Sequence, residues 1–226
     1  MNVIKDIRVY RSQTQNIAGN SLPHEFANKR LNIILRRIAM KLRENNFSMG
    51  DFNHLYVNLT TCKIDDKIAP APRGKDSNFP WFRYYDVEVS QDFFDTLESP
   101  CCIRSVIEIV EQVLIKFFCT AQSDSDLIRS CVSEAAEQGE NMLMKFKEKR
   151  TSKNKAVIYL RYLDNGRYFP LLRIFDSEDT MILENDLPET NDLNAYGEIQ
   201  LSGKKITIKP RKNCFAGNLE HITIML

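Results

Sequence analysis

Glycine is scarce in this chain and never clusters. There are eight glycines in 226 residues, and none falls in a Gly-x-Gly-x-x-Gly or Gly-x-x-x-x-Gly-Lys-[Ser/Thr] arrangement. Loops that cradle phosphate with backbone N–H groups need such clusters, so the common nucleotide-binding loops are excluded. Histidine is scarcer still. His24, His54 and His221 are the whole set, and no two stand at metal-ligand spacing. His54, Cys62 and Asp65 form the one conceivable zinc set, and they read more simply as a strand-surface imidazole, a core thiol and a turn carboxylate. The six cysteines include no Cys-x-x-Cys pair, and no Gly-x-Ser-x-Gly elbow is present. A Cys214–His221 nucleophile has no supporting motif. The nearest approach to a carboxylate–metal nuclease, Asp192 followed by Glu198-Ile199-Gln200, lacks its lysine. No catalytic residue, metal site or cofactor is expected, and the reading is of a protein that is not an enzyme.

Long hydrophobic runs are missing as well. The most apolar window, 101–119, carries Arg104, Glu108, Glu111 and Lys116, too many charges for a lipid-facing span. The opening Met1-Asn2-Val3-Ile4-Lys5-Asp6 lacks the apolar centre of a secretory signal. No membrane partner is expected, and a cytoplasmic location with reduced thiols is. Cys101, Cys102 and Cys119 flank or lie in that apolar window, where a free thiol behaves as a small hydrophobe.

What is present is ample material for a core. Hydrophobic residues make up 43% of the chain and charged residues 27%, enough for one large domain or two small ones. A single domain over 1–226 is expected. Gly139–Asn141 is the place where it would divide into 1–139, mixed α and β, and 140–226, mainly β.

The periodicity supports that layout. Val3, Ile4, Ile7 and Val9 suggest a first strand. Leu31, Ile34, Leu35, Ile38 and Leu42 recur at helical spacing and predict a helix over 25–45. Its two basic flanks, Lys29/Arg36/Arg43 and Arg30/Arg37/Lys41, lie on either side of a back ridge of Ile33 and Met40. Strands are predicted over 52–61 and 81–89, joined by a Pro-containing loop at 63–80. A short helix is placed at 92–97. A longer, nearly all-round apolar helix at 102–119 belongs at the centre of a fold. Another helix is placed at 125–138, capped by Asp124 or Ser125.

After residue 142 the pattern changes to β. Asp164-Asn165-Gly166 between two apolar runs, 154–163 and 168–175, is a strong hairpin signal. Further strands are placed at 180–183, 198–201, 204–208 and 221–225. Consecutive hairpins imply antiparallel pairing. The fold class is α+β: a strand-helix-strand-strand-helix-helix part, then a mainly antiparallel β part.

Charge is segregated along this second half. From Ile174 to Gly203 there is no Lys or Arg, while Asp176, Glu178, Asp179, Glu184, Asp186, Glu189, Asp192 and Glu198 crowd in. Basic residues gather at Lys145–Lys155 and Lys204–Lys212. Three readings stay open. The acids pair with basic strand faces of the same chain; they dock a basic protein partner, which would steer encounter; or the basic clusters bind nucleic acid, with Tyr159, Tyr162 and Tyr168 available for stacking. Charge alone gives about 0–1 kcal/mol per exposed pair, so a tight partner also needs apolar or aromatic anchors.

The first 120 residues run as a basic helix, the strand Phe52-Asn53-His54-Leu55-Tyr56-Val57-Asn58-Leu59, a Pro-containing loop, the strand Trp81-Phe82-Arg83-Tyr84-Tyr85-Asp86-Val87, and the apolar helix Ile103–Phe118. In this layout the chain resembles the immunity proteins of bacterial polymorphic-toxin and contact-dependent inhibition systems. The resemblance implies a cytoplasmic, non-enzymatic inhibitor that binds a basic toxin domain. The resemblance carries over no site residues; the charge layout makes Asp176, Glu178, Asp179, Glu184, Asp186, Glu189 and Asp192 one candidate contact surface, and the 63–80 loop is another. The alternative is a nucleic-acid-associated accessory protein.

Overall fold

A computed structural model of the protein describes residues 2–15, 20–21, 29–72, 78–202, 205–213 and 219–225. The fold is α+β, and the chain divides into two compact units, Met1–Gly139 and Glu140–Leu226.

The first unit contains β1 (Asp6–Arg11), β2 (Asn20–Ser21), α1 (Lys29–Glu44), β3 (His54–Thr60), β4 (Ile68–Pro70), β5 (Phe82–Glu88), α2 (Gln91–Asp95), α3 (Cys102–Phe118) and α4 (Gln122–Gln138). Its sheet has the order β2-β1-β3-β5-β4. The three central strands are parallel, and each edge strand is antiparallel to its neighbour. A parallel pair needs a crossover, which α1 supplies between β1 and β3. The register aligns Val9, Val57 and Tyr85, and one pair along it aligns Leu59 with Val87. Ile7, Val9, Leu55, Val57, Leu59 and Val87 are all buried. On this same face Tyr85 meets Phe117 and Phe118 of α3, with ring centroids 4.6 and 5.7 Å apart.

Several expectations need correction here. Helix α1 buries Leu31, Leu35, Ile38 and Leu42, but also the back-ridge residues Ile33 and Met40, and even Arg37. The reason is that α4 lies against it. Lys41 Nζ stands 3.0 Å from Glu134 of α4, and a Cβ on Gly139 would come 3.9 Å from Arg37 Nη1. Arg43 is likewise used inside the unit, donating from Nε to the carbonyl of Ile4 and from Nη2 to that of Lys5. The predicted basic flanks are thus split: Arg37 is buried and Arg36 and Lys41 are half-buried, while Lys29, Arg30 and Arg43 stay exposed.

The 63–80 segment is not simply a loop, since β4 within it pairs with β5. Helix α4 starts at Gln122, because Asp124 works from inside its first turn. Asp124 Oδ2 accepts from the N–H and hydroxyl of Thr120 and from the N–H of Ala121, which holds its carboxyl below the usual range. Cys101 is exposed rather than in the core, whereas Cys102 and Cys131 are buried and reduced.

Among its described residues, the second unit forms strands and short 3-10 turns. It contains β6 (Met144–Arg150), β7 (Lys155–Tyr162), β8 (Tyr168–Phe175), β9 (Met181–Asp186), β10 (Glu198–Leu201), β11 (Lys205–Lys209) and β12 (Ile222–Met225). Two antiparallel sheets, β6-β7-β8-β9 and β10-β11-β12, share one core. Ala156, Ile158, Leu172 and Ile174 face Ile199, Ile206 and Ile208 across it, with Tyr196 and Leu187 filling the gap. The predicted Asn-Gly hairpin joins β7 to β8, and Gly166 takes φ 86°, a conformation that glycine adopts without cost. Strand β6, Met-Lys-Phe-Lys-Glu-Lys-Arg, was not predicted, and β9 runs three residues past Leu183. At Gly197 a Cβ would sit 2.3 Å from the backbone nitrogen of Arg211, so two chain segments touch where only hydrogen fits.

Candidate functional site

The acidic stretch occupies the β8–β9 turn, β9 and the segment after it. Its members meet basic residues of adjacent strands. Arg173 of β8 stands directly opposite Glu184 of β9, and their ion pair is 2.7 Å. Asp186 pairs with Arg161 of β7. Asp179, in the turn, accepts from Lys155 at 2.5 Å and from Arg150 at 3.3 Å. The Lys155 hydrogen bond holds the Asp179 carboxyl below its ordinary range. Glu189 pairs with Arg167 at 2.9 Å.

Two more acids are structural. Asp176 Oδ1 accepts from the N–H groups of Glu178 and Thr180, closing the turn, and Asp192 Oδ1 accepts from the Asn194 N–H. Glu178 makes no ion pair among the described residues. Three of the cations also lie over aromatic rings: Lys155 over Phe175 at 4.5 Å, Arg161 over Phe169 at 4.1 Å and Arg173 over Tyr159 at 5.3 Å. The outer face of this sheet thus carries three successive aromatic–cation–carboxylate rungs. For Asp179, Glu184, Asp186 and Glu189 the fold converts charge segregation in sequence into charge neutralisation in space.

Of the basic clusters, Lys145, Arg150 and Lys155 pair with acids, whereas Lys149, Lys153, Lys205, Lys209, Arg211 and Lys212 make no ion pair among the described residues. Lys145 pairs with Glu148 at 2.8 Å, and Lys147 donates to the carbonyl of Gly197. Lys204 and Cys214 lie outside the described residues.

The first unit finishes the other side of its sheet differently. Alternation puts Arg8 and Tyr10 of β1, His54 and Tyr56 of β3, and Phe82 and Tyr84 of β5 on the face opposite the helix-packed one. The parallel register sets Tyr56 between Arg8 and Tyr84, and His54 beside Phe82. Tyr56 is the centre of the group. Its ring lies 5.6 Å from Tyr10, 4.9 Å from Phe82 and 5.3 Å from Tyr84, with the Arg8 guanidinium 5.7 Å above it. Burial pushes its hydroxyl up to about 12. Phe79 stacks on Phe82 at 4.9 Å with the planes 6° apart, and Trp81 meets both rings edge-on. Phe79 and Trp81 are 45% and 39% exposed, although apolar rings of this size are usually covered.

Further along the same face, Asn58 and Asp86 are each 2% exposed. The Asn58 amide donates to Asp86 Oδ1 at 2.8 Å, and Asn58 Oδ1 is a buried acceptor with no partner among the described residues.

This arrangement suits recognition. Rings offer area and rigidity at little entropic cost, and Arg8 and the tyrosine hydroxyls add polar contacts. Nothing on the face forms a nucleophile–base pair. His54 Nδ1 faces Asn53 Oδ1 at 2.5 Å, and burial lowers its pKa. His54 opens β3 while Cys62 lies beyond its end, about 25 Å along an extended chain. The zinc set imagined from sequence is therefore not assembled, and no cluster of three or more metal-binding side chains occurs among the described residues. Among the described residues no helix is long and apolar enough to cross a membrane.

The sequence reading missed the aromatic face. The signal lay in the residues between the apolar ones: His54, Tyr56 and Asn58 alternate with Leu55, Val57 and Leu59, and Phe82 and Tyr84 alternate with Arg83 and Tyr85. Which rings meet depends on strand order and register.

No family model, no curated protein and no solved structure matches this chain.

Proposed function

We propose that the protein is a stoichiometric, non-enzymatic inhibitor that binds another protein, acting in the cytoplasm as immunity proteins do against a toxin domain. The observation that carries this reading is the exposed pair Phe79 and Trp81, at the end of the 63–80 segment and continuous with Phe82, Tyr56 and Tyr84. Aromatic anchors of this kind supply most of the binding energy in protein interfaces. The acidic stretch offers exposed Met181 and Ile182 but no aromatic ring, and four of its carboxylates are committed to cations of the same unit. In this reading Phe79 and Trp81 enter the partner. Glu178 and the other acids form a secondary, polar contact.

The test is co-expression with the product of the neighbouring gene. The expected result is a co-purifying complex of fixed stoichiometry and protection from that product's toxicity, both lost in Trp81→Ala with the circular dichroism spectrum unchanged. A Trp81→Ala, Phe79→Ala double variant that protects as well as the parent would overturn the reading.

A further inference from the structure

On the helix-packed side of the first unit, the α1–β3 connection, β5, the end of α3 and the start of α4 enclose a recess of about 560 Å³. Its walls include Phe47, Phe52, Tyr85, Phe117 and Phe118, and its basic side chain is Arg83. The Arg83 guanidinium lies 5.1 Å from the Phe52 ring centroid and 5.9 Å from that of Tyr85. Among the described residues no carboxylate comes within ion-pair distance of it.

The acid lining the recess is Asp124. Its charge is met by three donors from Thr120 and Ala121 and by the amino end of α4. Arg83 is therefore a cation beside two rings with no ion-pair partner among the described residues. A guanidinium whose faces are occupied by rings still has edge N–H groups, in the fork geometry that suits a carboxylate or a phosphate.

The recess is also built in advance. Phe47 and Phe52 belong to a connection that is pinned at several points. The Phe47 N–H donates to the Leu42 carbonyl, the Ile4 N–H to that of Phe47 and the Asn2 N–H to that of Gly50. Met49 and Phe52 form a bridge across the turn, and Asn46 and Gly50 adopt φ of 58° and 73° to allow it. Rings fixed in this way lose little freedom when a ligand enters.

We infer that this recess binds a small planar ring bearing an anionic group, with the ring against the phenylalanines and the carboxylate or phosphate on Arg83. The site needs no protein partner, so it stands or falls separately from the inhibitor reading.

The full chain is titrated with 4-fluorobenzoate and with phenyl phosphate, whose two arms separate carboxylate from phosphate. 4-Fluorobenzyl alcohol serves as a neutral ring and acetate as an anion without a ring. Fluorine and proton NMR follow binding. Saturable binding is expected for at least one aromatic anion, roughly tenfold or more tighter than for the neutral ring or for acetate. Arg83→Met removes that preference, and Arg83→Lys, the milder change, weakens it while leaving the thermal midpoint in place. Phe52→Leu weakens every ring-containing probe and leaves acetate unchanged. The inference is overturned if neither aromatic anion saturates, if the neutral ring binds as well as they do, or if the folded Arg83→Lys protein retains the full preference.

Discussion

The central sheet of the first unit and the four-stranded sheet of the second each bury one face under aliphatic side chains, and they finish the other face in opposite ways. The first sheet carries tyrosines, phenylalanines and a histidine around Tyr56, with Phe79 and Trp81 open to solvent. The second carries arginine, lysine and carboxylate in alternation, each cation between a ring and an acid. A charged face of that sort is satisfied before any partner arrives. An aromatic face is not, because exposed ring area keeps its full gain for the moment of binding. The position of a charge run in sequence is thus a poor guide to where binding energy resides.

The comparison can be broken most forcefully through the two cores. Leu55→Ala under the aromatic face and Leu172→Ala under the charged face should each cost about 2–5 kcal/mol. Urea denaturation reads the loss, and hydrogen exchange should show protection falling in the sheet that was cut. Next comes Trp81→Ala, which should weaken partner binding by about 2 kcal/mol or more, near thirtyfold in Kd by calorimetry, with little effect on urea stability. Asn58→Ala removes the described side-chain donor to a buried carboxylate, and about 1–3 kcal/mol of stability should go with it. Glu184→Gln and Asp186→Asn should each cost only about 0–1 kcal/mol, less in high salt. A larger loss would mean that the rungs hold the second unit together.

Smallest in energy and sharpest in assignment is the pH effect. Asp179 has its folded pKa depressed by Lys155, so its contribution is complete above the ordinary carboxyl value of 3.8 and is lost as pH falls through the lower folded value. Lys155→Met should move the Asp179 titration back up toward 3.8, as followed by carbon NMR of the side chain.

Much of the fold was legible because its signals are local. Helical spacing marked α1 and α3, and Asn165-Gly166 marked the β7–β8 turn. Strand β6 escaped because alternating lysines look like a solvated segment. Its pairing with β7 carries a bulge between Lys145 and Lys147, which puts Lys145, opposite Tyr159, on the other face from Lys147 and Lys149, opposite Ile158 and Ala156, so simple alternation could not have read it. The buried back of α1 escaped for a related reason: Ile33 and Met40 could not be read as core without knowing that α4 covers them. The aromatic face and the Arg83 recess needed still more, since both join residues from separate elements through a register that no single stretch of sequence states.

The rungs of the second unit also bear on how a partner is found. Opposite charges 2.5–3 Å apart cancel within a distance shorter than the Debye length, about 8 Å at physiological ionic strength. An approaching molecule therefore meets little field from Asp179, Glu184, Asp186 and Glu189 until it is almost in contact, and the field of the 176–192 segment is that of Asp176, Glu178 and Asp192, which pair with no cation among the described residues. Added salt should slow its association only as far as these three carboxylates steer it.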